Sequence, residues 1–316
     1  MGINVILLFL GFAILIKSSD IFVDATSSIA TNFKVPKIII ALTIASFGTC
    51  APELAISFNS IFSGNGDMAI ANVLGSNIVN ILFIIGIASM FFPIKVRNKT
   101  IKNELPFLLI ITSFFSVSTI INILSKNKYI LAWYDALLLI LLFIAFIFYI
   151  VSIAKNNKEN TDNSKPKYSI KKSIIYVVIC IIAIIISSNM VVDNAVLIAK
   201  HFNISQKIIT MTIIVIGTSL PELVTTIMAS KKKEFDIAVG NIIGTNIFNL
   251  GVVLGLPILI KGGVSSLSFN IIDILIVELA ALIFYLFAKN DKVLSRREGI
   301  LMFLVFLIYY ITMVIF

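Results

Sequence analysis

Gly48-Thr49-Cys50-Ala51-Pro52-Glu53-Leu54 lies in the middle of one apolar stretch. Gly217-Thr218-Ser219-Leu220-Pro221-Glu222-Leu223 lies in another, 169 positions later. Each places a proline and a carboxylate where a membrane helix should carry neither. A proline inside a helix gives up one backbone hydrogen bond and clashes with the carbonyl four residues back, costing about 3 kcal/mol. Here those carbonyls belong to Gly48 and Gly217. A charge at bilayer depth costs about 2.5–3.5 kcal/mol on insertion scales. A cation beside the helix answers both, because the carboxylate pairs with it and the freed carbonyl points at it. Broken helices at transporter midplanes follow this logic.

The surroundings are those of a membrane protein. Of 316 residues 59% are hydrophobic, and the mean hydropathy is +1.06. A soluble domain of this size cannot hide so much apolar surface, so the expected fold is an all-α polytopic membrane protein. The run 4–16 lacks a basic region and a small-residue cleavage site, and it reads as a first helix rather than a signal peptide. Ten spans are predicted, near 3–30, 37–62, 67–92, 104–123, 130–153, 172–199, 207–230, 236–260, 267–288 and 297–316. The first and sixth begin apolar and turn polar, so their second halves should face protein or water.

Five spans separate the two Pro-Glu pairs. Five is odd, so the halves enter the membrane with opposite polarity, as two inverted five-helix repeats. The match continues without a gap. The stretch 67–80 aligns with 236–249 at the same offset, and seven of fourteen positions are identical, including three asparagines. The expected organisation is a first repeat over 1–153, a cytoplasmic linker over 154–171 and a second repeat over 172–316. The net charge of +9 sits in short loops, which argues for topology rather than nucleic acid. Lys and Arg fall mostly in the loops that are cytoplasmic if both termini lie outside a cell membrane.

Read as helices, the motif spans carry polar faces. Ser46, Thr49, Cys50, Glu53 and Ser57 share one, and Val215, Thr218, Ser219, Glu222 and Thr226 are their counterparts. In the spans that follow, Asn72, Ser76 and Asn80 match Asn241, Thr245 and Asn249. Apart from the Cys50 thiol these are oxygen ligands, which suit hard cations. Two glutamates meeting at the pseudo-axis suit Ca²⁺; hydroxyls, amides and carbonyls around them suit Na⁺. Either glutamate alone also reads as a protonated, hydrogen-bonded packing residue, and the Asn/Ser/Thr stripes alone read first as helix–helix hydrogen bonding. Their linkage and symmetry lift both. Asp67 and Asp236 read as N-caps, Lys231-Lys232-Lys233 as a topology signal, and Asp20, Asp24 and Asp193 as lining for a vestibule or as partly exposed groups. Cys50 and Cys180 both lie in apolar stretches, so no disulfide framework is indicated.

The motifs Gly48 to Glu53 with Gly75-Ser76-Asn77, and Gly217 to Glu222 with Gly244-Thr245-Asn246, resemble the two α-repeats of the calcium/cation antiporter superfamily, which includes the sodium/calcium exchangers. The resemblance covers nearly the whole chain. It implies that Glu53 and Glu222 bind Ca²⁺ with oxygens of Thr49 and Thr218, and that Na⁺ competes for the same glutamates plus neighbouring hydroxyls and carbonyls. It also implies alternating access, with the first and sixth helices sliding across the core. Three positions depart from the pattern. Cys50 replaces a serine, and a thiol is a poor partner for Na⁺. Val215 offers only its carbonyl. Asn249 stands where many members carry Asp, an acid tied to potassium use, so no potassium coupling is expected.

The function expected is Ca²⁺/Na⁺ antiport, with Ca²⁺ and Na⁺ as transported ions, no cofactor, no partner beyond the lipid bilayer, and no nucleic acid. A Ca²⁺/H⁺ antiporter is the alternative, since buried carboxylates can exchange protons. A cation channel is a third reading, though channels usually build their rings from several subunits. An enzyme is not expected, because the sole histidine, His201, lies far from both motifs.

Overall fold

The computed structural model describes residues 2–125, 129–156, 165–202, 215–265 and 271–315. Within these the regular structure is helical apart from four two-residue strands. Seven helices are long and apolar enough to cross a membrane, or eight if one bent pair is a single span. The seventh expected span, 207–230, begins among residues outside the described ones. The protein is a multi-pass membrane protein.

α1 (Gly2–Phe33) and α7 (Ile170–His201) have 32 residues each. At 1.5 Å per residue each is about 48 Å long, more than the roughly 30 Å of a hydrocarbon core. Gly11 lies against Ser187 and Val191, and Asn32 donates to the Tyr168 carbonyl at 2.9 Å, so the two helices run antiparallel. Ile3, Ile6 and Phe9 of α1 and Ile175, Ile179 and Ile182 of α7 are exposed, an apolar face suited to lipid. Their later, polar halves turn inward as the sequence suggests. Ser18, Ser19, Thr26 and Ser28 are buried, as are Ser187, Ser188 and Asn194.

Both prolines start helices rather than kink them. α2 (Lys37–Thr49) and α3 (Ala51–Phe62) meet at a 51° bend. α8 (Val215–Thr218) and α9 (Leu220–Lys231) are interrupted at Ser219. Pro52 and Pro221 each fall in the first two positions of the new helix. There the missing N–H is one that no intrahelical carbonyl would have taken. The expected mid-helix kink is therefore a break. The expectation that the Gly217 carbonyl is freed toward an ion also changes, because it accepts a bond from the Ser188 hydroxyl of α7 at 3.3 Å.

α4 (Gly66–Phe91) and α10 (Phe235–Lys261) form the centre. In each, 78% of the apolar window is buried, against 22–39% for the other long spans. Each passes through a π-helical stretch, at Val79–Ile85 and at Asn249–Leu254. Such widened turns are rare and recur at functional sites. α5 (Asn98–Leu124), α6 (Trp133–Asn156), α11 (Ile271–Asp291) and α12 (Arg296–Ile315) pack outside this pair. Two short antiparallel ladders tie the halves of the chain together. β1 (Ile94–Lys95) after α4 pairs with β4 (Val293–Leu294) before α12, and β2 (Leu131–Ala132) before α6 pairs with β3 (Gly263–Val264) after α10.

Candidate cation site

Glu53 and Glu222 lie in the first turns of α3 and α9, and both side chains are fully buried. A helix N-terminus favours a carboxylate by about 0.3–1 kcal/mol, far less than the several kcal/mol that burying an ionised group costs. The two carboxylates lie close enough to repel each other. The Cys50 thiol, at the break before α3, lies beside both carboxylates and against the Thr245 hydroxyl of α10. Thr49 lies beside the Glu222 carboxylate but gives its proton to the carbonyls of Ala45 and Ser46, at 3.2 and 3.3 Å.

Most of the other predicted residues are buried as well. Ser46, Ser76, Asn80, Ser219, Thr245 and Asn249 are at most 1% exposed. Thr218 is half-buried, and Val215 opens α8. The Ser46 hydroxyl reaches the carbonyls of Ala41 at 2.7 Å and Asn241 at 3.1 Å, which seats α2 against α10. Asn72 donates to the Glu53 carbonyl and to the Ser57 hydroxyl, both at 3.0 Å, tying α4 to α3.

Two asparagines outside the predicted set arrange two inside it. Asn80 donates to Asn246 Oδ1 at 3.1 Å, and Asn249 donates to Asn77 Oδ1 at 3.0 Å. The pairs are reciprocal across the α4–α10 contact. With their amide nitrogens engaged, Asn80 and Asn249 each keep a buried Oδ1 without a hydrogen-bond donor. So do both oxygens of Glu53, both of Glu222, and the hydroxyls of Ser76, Ser219 and Thr245. Leaving a buried acceptor unpaired costs about 1–3 kcal/mol each. Asn77 and Asn246 were visible in the sequence only as identities between the two motifs.

Several lesser expectations change. Asn65, not Asp67, caps α4, accepting from the Met68 amide at 3.2 Å. Asp236 pairs with Arg97 at 2.8 Å. Asp20 and Asp24 are partly exposed, and both pair with Lys232, while Asp24 also pairs with Lys167. Asp193 does line a vestibule. A cavity of about 640 Å³ runs between α7, at Asn189 and Asp193, and Pro52, Ile56 and Thr218 beside the motifs.

Comparison with known proteins bears on the family and the fold. Residues 3–152 and 172–315 match the family model described as sodium/calcium exchanger protein. The inner membrane protein YrbG of Escherichia coli K12 is 34% identical over 300 residues, covering 94% of this chain and 92% of that protein. The sodium/calcium exchanger MaX1 of Methanosarcina acetivorans is 30% identical, with 98% of each chain covered. The solved structure of the sodium-calcium exchanger NCX_Mj superposes with a TM-score of 0.81 at 30% identity, over 98% of both chains. With both halves matched and the fold shared end to end, the chain belongs to the sodium/calcium exchanger family.

Proposed function

We propose that the protein is a secondary antiporter that exchanges Ca²⁺ for Na⁺ by alternating access through one site shared by Glu53 and Glu222. The observation that carries this is the set of buried oxygens without donors around two adjacent carboxylates. Hydrogen-bond donors would satisfy a structural carboxylate, whereas a hard cation needs acceptors alone. Ca²⁺ neutralises both glutamates; Na⁺ ions use the same glutamates with Ser76, Thr245, Ser219 and the free oxygens of Asn80 and Asn249. Thr49, Thr218, Ser46 and the Val215 carbonyl complete the ligand set, with Cys50 at its edge. Because both ions need the same carboxylates, they displace one another, which couples their movements.

The same reading includes ten spans in two inverted halves, 1–153 and 172–316, joined by a cytoplasmic linker, with both termini outside. Its support is the correspondence of breaks at Cys50 and Ser219 and of π-helical stretches in α4 and α10.

Reconstituted vesicles test the exchange. Calcium uptake should rise several-fold under an outward sodium gradient and should be lost, with the protein still folded, in Glu53→Gln and in Glu222→Gln. Normal transport in both variants would overturn the site. A second reading, Ca²⁺/H⁺ exchange, is favoured by the Cys50 thiol and the Asn249 amide, which remove hard ligands for Na⁺. Uptake driven by a proton gradient and indifferent to sodium would establish it instead.

A further inference from the structure

We propose that a basic pocket at the starts of α2 and α10 binds a phosphate-bearing anion, supplied by an anionic phospholipid headgroup or as free phosphate. The proposal is independent of the cation-site reading, since none of the pocket's residues belongs to that site.

The pocket is a cavity of about 440 Å³, within the roughly 300–1,000 Å³ usual for small-molecule sites. It is lined by Lys37 at the start of α2, Lys95 of β1, Arg97 just after it, and Lys233 in the turn before α10, together with two acids, Glu234 and Asp236. Both acids are already engaged. Lys37 pairs with Glu234 at 2.9 Å, and Arg97 pairs with Asp236 at 2.8 Å. Lys95 and Lys233 form no ion pair among the described residues, so four basic groups against two acids leave an excess of two positive charges. Like charges brought together repel, and an oxyanion that accepts from several N–H donors at once relieves that repulsion. Val96 and Phe235 add apolar wall. The pocket lies at the ends of membrane-crossing helices, which is where a lipid headgroup sits.

A topology signal accounts for lysines on one side of a membrane, but not for their convergence on one cavity. At the 169-residue offset the positions of Lys37, Lys95, Arg97 and Lys233 read Gln206, Val264, Ser266 and Gly64. The strands β1 and β3 correspond at that same offset, so the loops match and their charge does not. Lys233 has φ +60° and Gly64 has φ +83°. Glycine takes up that left-handed conformation freely, whereas a lysine does so at a cost. The turn before α10 thus carries a basic side chain where its counterpart carries glycine.

The test is calorimetric titration of purified full-length protein in uncharged detergent, without Ca²⁺ and at fixed ionic strength, with two probes: inorganic phosphate and dihexanoyl phosphatidylglycerol. The wild type should bind at least one of them saturably. The double variant Lys95→Gln/Lys233→Gly removes the two uncommitted charges and keeps the turn relaxed; it should bind that probe about tenfold or more weakly. Lys95→Arg should bind as the wild type does. Lys231→Gln removes the same charge one turn residue outside the pocket and should change the affinity by less than about twofold. Tighter binding of phosphatidylglycerol supports a lipid headgroup as the occupant, and tighter binding of phosphate supports a free anion; both outcomes uphold the site. Equal affinity in the wild type and the double variant, an equal loss in Lys231→Gln, or no saturable binding of either probe would overturn it.

Discussion

Asn77 and Asn246 touch no predicted ligand oxygen, yet they decide where two of those oxygens point. Each accepts from the side-chain amide of the asparagine opposite, and so leaves the Oδ1 of Asn249 or Asn80 free. An amide that spins can present its nitrogen to a cation, which is repulsive; one anchored through that nitrogen cannot. Asn77 should therefore act through Asn249. In a double-mutant cycle of Asn77→Ala and Asn249→Ala, read by Ca²⁺ titration calorimetry, the two losses should fall short of additive by about 1 kcal/mol. Strict additivity would show that the bond does nothing for the site. These residues were only half legible. Ser76 and Asn80 lie four apart on the same helix face as Asn72, so periodicity finds them. Asn77 is one step off that stripe, and only the crossing of α4 with α10 brings it into play.

At the scale of elements, that core depends on how closely α2 and α10 approach. A Cβ placed on Gly244 would lie 2.2 Å from Ser46 Oγ and 2.8 Å from the Leu42 carbonyl. The carbonyl is backbone and cannot turn aside. Gly244→Ala should force the helices apart, lowering stability by about 1–3 kcal/mol and weakening Ca²⁺ binding in parallel, because Ser46 and Thr245 sit on the two sides of the contact. Thermal unfolding with and without Ca²⁺ checks this; a variant of unchanged stability and affinity would show that the contact has slack. The repeat and the polar faces could be read from the chain because a shared offset and a 3.6-residue period are properties of sequence. The helix breaks could not be read in full. A proline signals a disruption, but whether it kinks one helix or starts another depends on the partners that take up the orphaned groups, as Ser188 does for the Gly217 carbonyl. The ladders between β1 and β4 and between β2 and β3 are two residues long and carry no pattern of their own.

Across the whole molecule, the antiparallel α1–α7 pair is open at one end and tied at the other. The cavity lies along α7 at Asn189 and Asp193, level with the start of α1 near Gly11. Further along α1, Lys232 at the end of α9 pairs with Asp20 at 2.8 Å and with Asp24 at 2.6 Å, and Lys37 pairs with Glu234 at 2.9 Å. Under the proposed alternating access the cavity closes while the tied end opens, and these ion pairs then break once per cycle. They are partly screened, with Lys232 22% and Asp24 16% exposed. Their net contribution is therefore on the order of 1 kcal/mol, enough to hold one state and small enough to be undone by ion binding. Removing the two Lys232 pairs with Lys232→Ala should shift the balance roughly fivefold toward the state open at that end. Hydrogen exchange in α1 from Asp20 to Thr31 and at the C-terminal end of α9 should quicken, while the central helices α4 and α10 stay protected. Equal exchange in the two proteins would mean that the apolar contacts of α1, not its charges, keep that end closed.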